Sequence, residues 1–136
     1  MFVINLSILF FFFSVYSGLQ WFNTLPDHAM VKTCSGSDIQ LPWNFSLSHG
    51  ERVEDIKWIY QAEGRADELI AVLVAGTFNP TPAFSGRVQW TGAAGIMVSK
   101  AGLLESGNYT VMVSIEYPGQ RLVRIQRTAS VQVVGK

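Results

Sequence analysis

From Ile39 onward the chain alternates apolar and polar residues with a period of two. Ile39, Leu41, Trp43 and Phe45 are separated by Gln40, Pro42 and Asn44. Successive side chains of a strand point to opposite faces, so such a run buries one face and wets the other. The alternation returns at 53–58 and in Tyr109, Val111, Val113 and Ile115. Val123, Ile125, Val131 and Val133 are expected to share the inner face of the last strand. Further strands are expected at 69–74, 84–90 and 95–100. Turn signals punctuate the runs at His49-Gly50, Glu63-Gly64, Asn79-Pro80, Thr91-Gly92, Ser106-Gly107 and Pro118-Gly119. No stretch keeps a helical period over three turns. Many short strands at this spacing predict an all-β sandwich or barrel.

Residues 1–17 read as a separate object. Ile8 to Phe13 is an unbroken apolar run, too short to span a bilayer. Val15-Tyr16-Ser17 fits the small-residue rule for signal-peptide cleavage. This predicts a leader at 1–17, an N-terminal segment at 18–29 and one domain at 30–134. No later stretch approaches membrane length, and the apolar run from Leu69 to Gly76 reads as a strand. The expected location is therefore secreted or extracellular, or the cell surface if the chain is part of a longer receptor. Ten acidic and ten basic residues balance. A nucleic-acid binder would show a basic excess, so that class is not expected.

Neither catalysis nor a cofactor is expected. His28 sits beside Asp27 and His49 beside Gly50, and neither has a nucleophile at motif spacing. Glu54-Asp55 and Asp67-Glu68 are adjacent carboxylates. On strands, neighbours face opposite ways and make poor acid–base pairs. No group has metal-ligand spacing. Cys34 is the one cysteine. It cannot form an internal bridge, which leaves a partly buried thiol or an intermolecular disulfide.

Three segments together resemble a known family. They are Ile39-Gln40-Leu41-Pro42-Trp43-Asn44-Phe45, Ile56-Lys57-Trp58-Ile59-Tyr60 and Glu105-Ser106-Gly107-Asn108-Tyr109-Thr110-Val111. They resemble strands B, C and F of the immunoglobulin variable-type domain, over roughly residues 30–134. The resemblance implies a two-sheet antiparallel sandwich with Greek-key connections. It implies that Trp58 is the core tryptophan and Tyr109 the corner tyrosine. It implies a salt bridge between Arg87 and Glu105. Trp43 and Val111 stand where the family places its two cysteines. A bridge there would close a loop of about 70 residues, worth roughly 4 kcal/mol by loop entropy. Trp43, Trp58 and Val111 are expected to fill that space with carbon. The N-terminal domains of carcinoembryonic-antigen-related adhesion molecules, and those of the lymphocyte-activation family, resemble this chain in lacking the bridge.

The resemblance also implies a binding module rather than an enzyme. Two sequons, Asn44-Phe45-Ser46 and Asn108-Tyr109-Thr110, are expected glycosylation sites, while Pro80 disqualifies Asn79. Placing Trp58, Tyr109 and Ile125 inward fixes the outward set. It comprises Lys57, Ile59, Gln61, Thr110, Met112, Ser114, Leu122, Arg124 and Gln126. Ile59, Met112 and Leu122 are expected to form its apolar centre, with Lys57 and Arg124 around it. An apolar centre with a polar rim marks an interaction site. The expected partner is an extracellular or cell-surface protein, another immunoglobulin-type domain or a second copy of this chain. Two alternatives stay open. One is an immune receptor reading its ligand through end loops after Leu47, at 76–83 and at 116–121. Ile125-Gln126-Arg127-Thr128 lacks the Phe-Gly-x-Gly bulge that antigen receptors of the family place there. The other is a secreted decoy or regulator.

Overall fold

The computed structural model describes residues 18–22, 24–117 and 122–135. The expected leader lies outside the described residues, as do residues 118–121 of the 116–121 loop. The described strands are β1 (Gln20–Trp21), β2 (Ala29–Cys34), β3 (Ile39–Leu41), β4 (Phe45–Ser46), β5 (Arg52–Gln61) and β6 (Glu68–Val74). They continue as β7 (Thr77–Pro80), β8 (Val88–Gly92), β9 (Gly95–Val98), β10 (Gly107–Glu116) and β11 (Val123–Val134). Two single 3₁₀ turns, Pro82–Phe84 and Leu103–Glu105, complete them. No α-helix occurs among the described residues.

The strands form two layers. One sheet has the order β2-β11-β10-β5-β6-β7, the other β3-β9-β8, and β1 pairs with β4 as a short ribbon. The pairing is antiparallel except between β2 and β11, which run parallel. The chain reaches that position by leaving β1 and turning at Pro26–His28. There Asp27 Oδ1 accepts the Thr128 N–H at 2.9 Å, and the His28 N–H donates to the Thr128 carbonyl. Part of the 18–29 segment thus packs with the domain: β1 lies within it, and Leu19 and Leu25 join the core.

Three local expectations change. The 39–45 run is broken into β3 and β4 at Pro42, which has no N–H to give a ladder. The expected strand at 84–90 begins only at Val88, because Pro82–Phe84 forms a 3₁₀ turn and Gly86 is at positive φ. Val123 is 39% exposed rather than inward, since it lies at the very start of β11.

The core sits between the layers. Trp43, Trp58, Tyr109 and Val111 are all within it. Val111 faces Trp58 in register, and Tyr109 faces Tyr60. The Trp58 indole N–H donates to the Ala94 carbonyl at 2.9 Å, tying β5 to the turn between β8 and β9. Phe78 packs edge-on to Trp58 with ring centroids 5.5 Å apart. The Trp43 Nε1 is buried without a hydrogen-bond partner. Gly107 opens β10 at φ 152°, where a Cβ would come within 2.6 Å of the Gln61 carbonyl. Glycine is the residue that permits this approach.

Candidate functional site

The outer face of the six-stranded sheet is built from rows of side chains set by register. Strands β5, β10 and β11 lie side by side. One row is Gln61, Asn108 and Ser130; the next is Ile59, Thr110 and Thr128. Then come Lys57, Met112 and Gln126, and after them Asp55, Ser114 and Arg124. Tyr109, Val111 and Val113 between these positions are fully buried, so the rows point away from the core. The Thr110 and Thr128 hydroxyls lie 3.1 Å apart and share a hydrogen bond.

Two members of the expected face need correction. Ser114 is 4% exposed, not an open surface residue. It is a short side chain between Asp55 and Arg124 on the flanking strands, and longer neighbours leave it little surface. Leu122 is exposed but stands before β11, beyond the polar Asp55–Ser114–Arg124 row. It is therefore not contiguous with Ile59 and Met112.

Strand β6 supplies what the sequence reading missed. A bulge lies where Trp58 pairs with Ala71 and Ile59 with Leu69. Ile70 and Ala71 both turn into the core, and Leu69 is left outside beside Ile59. Val72 then lies beside Lys57, and Val74 beside Asp55. Leu69 is 40% and Val74 45% exposed. The signal was available in the unbroken apolar run from Leu69. A half-buried strand would alternate, so an unbroken run means an apolar row on both faces. A shallow hollow of about 190 Å³ lies at the centre, lined by Ile59, Gln61, Asp67, Thr110, Met112 and Gln126. Gln61 Nε2 donates to Asp67 Oδ1 at 2.8 Å along its edge.

The other singled-out residues fall elsewhere. Arg87 Nη2 lies 3.6 Å from Glu105 Oε2, an ion pair longer than a hydrogen bond. The second Glu105 oxygen accepts the Gly102 N–H at 2.6 Å. The Arg87 guanidinium also stacks over the Phe84 ring at 5.3 Å. Asn44 borders a separate hollow with Thr24, Pro42, Trp43 and the Thr91–Ala93 turn. Its Oδ1 accepts the Phe45 N–H. Cys34 is a free, exposed thiol. His28 Nε2 lies 3.5 Å from Asp27, and His49 is exposed in a turn. Among the described residues no group of His, Cys, Asp and Glu is placed to hold a metal ion. Among the same residues no helix is long and apolar enough to cross a membrane.

No protein-family model matches the chain, and no curated protein matches it in sequence. Solved structures do match in shape. Murine CRIg superposes with a TM-score of 0.73 at 13% identity, covering 85% of this chain and 97% of that one. Domain 1 of VCBP3 from Branchiostoma floridae gives 0.65 at 14% identity, covering 85% and 95%. The extracellular domain of the voltage-gated sodium channel beta4 subunit gives 0.63 at 20% identity, covering 83% and 90%. That structure is described as a parallel homodimer explaining a role in cell–cell adhesion. At these identities the likeness is one of fold, and the fold is the V-type immunoglobulin sandwich.

Proposed function

We propose that this V-type immunoglobulin domain is an extracellular protein-binding module, of the adhesion or immune-recognition kind. It docks its partner on the outer face of the six-stranded sheet. The observation that carries the reading is the apolar pair Ile59 and Met112 lining one hollow, extended across β6 by Leu69 beside Ile59 and by Val72 beyond Lys57, with Gln61, Asp67 and Gln126 around it. Contact energy concentrates in such central groups, while the polar rim excludes water and fixes orientation. The leader expected at 1–17 supports an extracellular setting. The parallel homodimer described for the beta4 extracellular domain supports a partner of the same fold, a second copy of this chain included. The role is binding and not catalysis.

Analytical ultracentrifugation and a binding screen against cell-surface proteins test this reading. Ile59→Asp and Met112→Asp should each abolish self-association or partner binding while the circular dichroism spectrum stays that of the wild type. If both variants bind as wild type while changes around Pro118 abolish binding, the end loops carry recognition instead.

A further inference from the structure

We infer that Asn108 is an N-glycosylation site whose first sugar seats in a hollow at one end of the partner face and bounds the area a partner can cover. Three observations meet at this residue. Asn108-Tyr109-Thr110 is a valid sequon. Asn108 is exposed, and the buried Tyr109 beside it directs the asparagine to the outer side of the sheet. It also lines an open hollow of about 420 Å³ with Gln61, Ala62, Arg65, Asp67 and Ser130.

That hollow adjoins the central one. The two share Gln61 and Asp67, whose side chains are hydrogen-bonded to each other at the border between them. Outer positions recur every second residue, so Asn108 stands about 7 Å from Thr110 along β10 and about 14 Å from Met112. A sugar on Asn108 Nδ2 therefore fills the hollow that Asn108 lines, on its own side of the Gln61–Asp67 pair. It leaves Ile59, Leu69 and Met112 open on the other. Gly107 lines the same hollow without a side chain.

The chemistry is a group transfer from a lipid-linked oligosaccharyl diphosphate, the donor class of the secretory route. The bond from the sugar C1 to the diphosphate oxygen breaks, and the bond from C1 to Asn108 Nδ2 forms. The amide gives up one proton, and the lipid diphosphate leaves with the electron pair of the broken bond. The consequence for docking rests on the face proposed above; the modification and its seat do not.

The test uses the full chain expressed with its leader in a glycosylating secretory host. Peptide mapping after enzymatic glycan release should find Asn108 converted to aspartate, and Asn108→Gln should lose the mass of one glycan. Phenylglyoxal should modify Arg65, which lines the same hollow, several-fold more slowly in the glycosylated wild type than in Asn108→Gln. An unmodified Asn108 overturns the site. A glycan present with equal Arg65 rates overturns its seat. Neither readout needs a partner. If Ile59→Asp keeps the glycan and still associates as wild type, the docking face fails while the glycan site stands.

Discussion

The Tyr109 hydroxyl donates a 2.7 Å hydrogen bond to the Glu105 carbonyl, four residues back along the chain. Its ring meets that of Tyr60 at 4.9 Å, and the Tyr60 hydroxyl lies 2.6 Å from both the Leu104 and the Ser106 carbonyls, which share its single proton. The two phenols thus place their two protons among the three carbonyls of the turn that feeds β10. Burial first, then Tyr60 and Glu105, pushes the Tyr109 phenol far above its ordinary value of 10.0. Burial and Glu105 push Tyr60 upward as well.

A raised folded-state pKa means that the folded protein holds its proton where the unfolded chain releases it. The stability tied to that difference is complete below the ordinary phenol value and declines as pH rises past it. Urea midpoints should therefore be flat from about pH 8 to about pH 9.5 and fall above about pH 10. Tyr109→Phe should cost about 1–2 kcal/mol at neutral pH by leaving the Glu105 carbonyl short of its donor. It should also flatten the alkaline decline. An unchanged decline in that variant would assign the effect to other groups.

Glu105 links two interactions that substitutions can separate. One carboxylate oxygen receives the Gly102 N–H, and the other faces Arg87. The Arg87 side chain is 41% exposed and that of Glu105 20%. The Arg87 Nη2 that faces Glu105 is itself buried without a hydrogen-bond partner, so the exposed remainder of the side chain screens the pair only in part. Glu105→Gln retains an acceptor for Gly102 and loses the charge, and should cost about 0.5–1 kcal/mol. Glu105→Ala loses both and should cost about 1–3 kcal/mol. Equal costs in chemical denaturation would mean that the Gly102 bond contributes nothing.

The two core tryptophans differ in one atom's fate. The Trp58 N–H is bonded to Ala94, whereas the Trp43 N–H is buried without a partner. Truncating Trp43 to Ala should cost about 3–5 kcal/mol through lost burial and a cavity. Replacement by Phe should separate the pair. Trp58→Phe strands the Ala94 carbonyl, while Trp43→Phe removes an unsatisfied donor. Trp58→Phe should be the worse by about 1–2 kcal/mol. Unfolding free energies in the opposite order would show that volume alone governs both sites.

Alternation made the inner face legible. Tyr109 and Val111 could be placed on one face because β10 alternates through Val113 and Ile115. The inward place of Trp58 came instead from the family resemblance, since apolar Ile59 stands out of phase beside it. What escaped depended on partners that a single strand does not reveal. The burial of Ser114 follows from Asp55 and Arg124 flanking it, which is a fact of register. Pro42 occupied a polar position in the pattern, and its missing N–H broke the strand all the same. At Ile70 the bulge placed two adjacent side chains inward and shifted the phase of β6, so Leu69 and Val72 joined the outer face. A continuous apolar run carries no phase, and only its pairing with β5 supplies one.

That shift separates two exposed leucines. Leu69 lies directly across from Ile59, in the apolar centre. Leu122 is equally exposed but lies past the polar Asp55–Ser114–Arg124 row. Binding energy concentrates where apolar groups are contiguous and become fully desolvated, and central truncations cost about 2 kcal/mol or more. Leu69→Asp should therefore weaken partner binding or self-association at least about thirtyfold, as that energy implies at 25 °C. Leu122→Asp should change it only a few-fold. Leu69 is 40% and Leu122 41% exposed, so the two substitutions should lower the thermal midpoint by similar, modest amounts. Titrations with both variants decide the footprint. Loss at Leu122 with retention at Leu69 would move the contact to the end of the sheet where β10 ends at Glu116 and β11 begins at Val123.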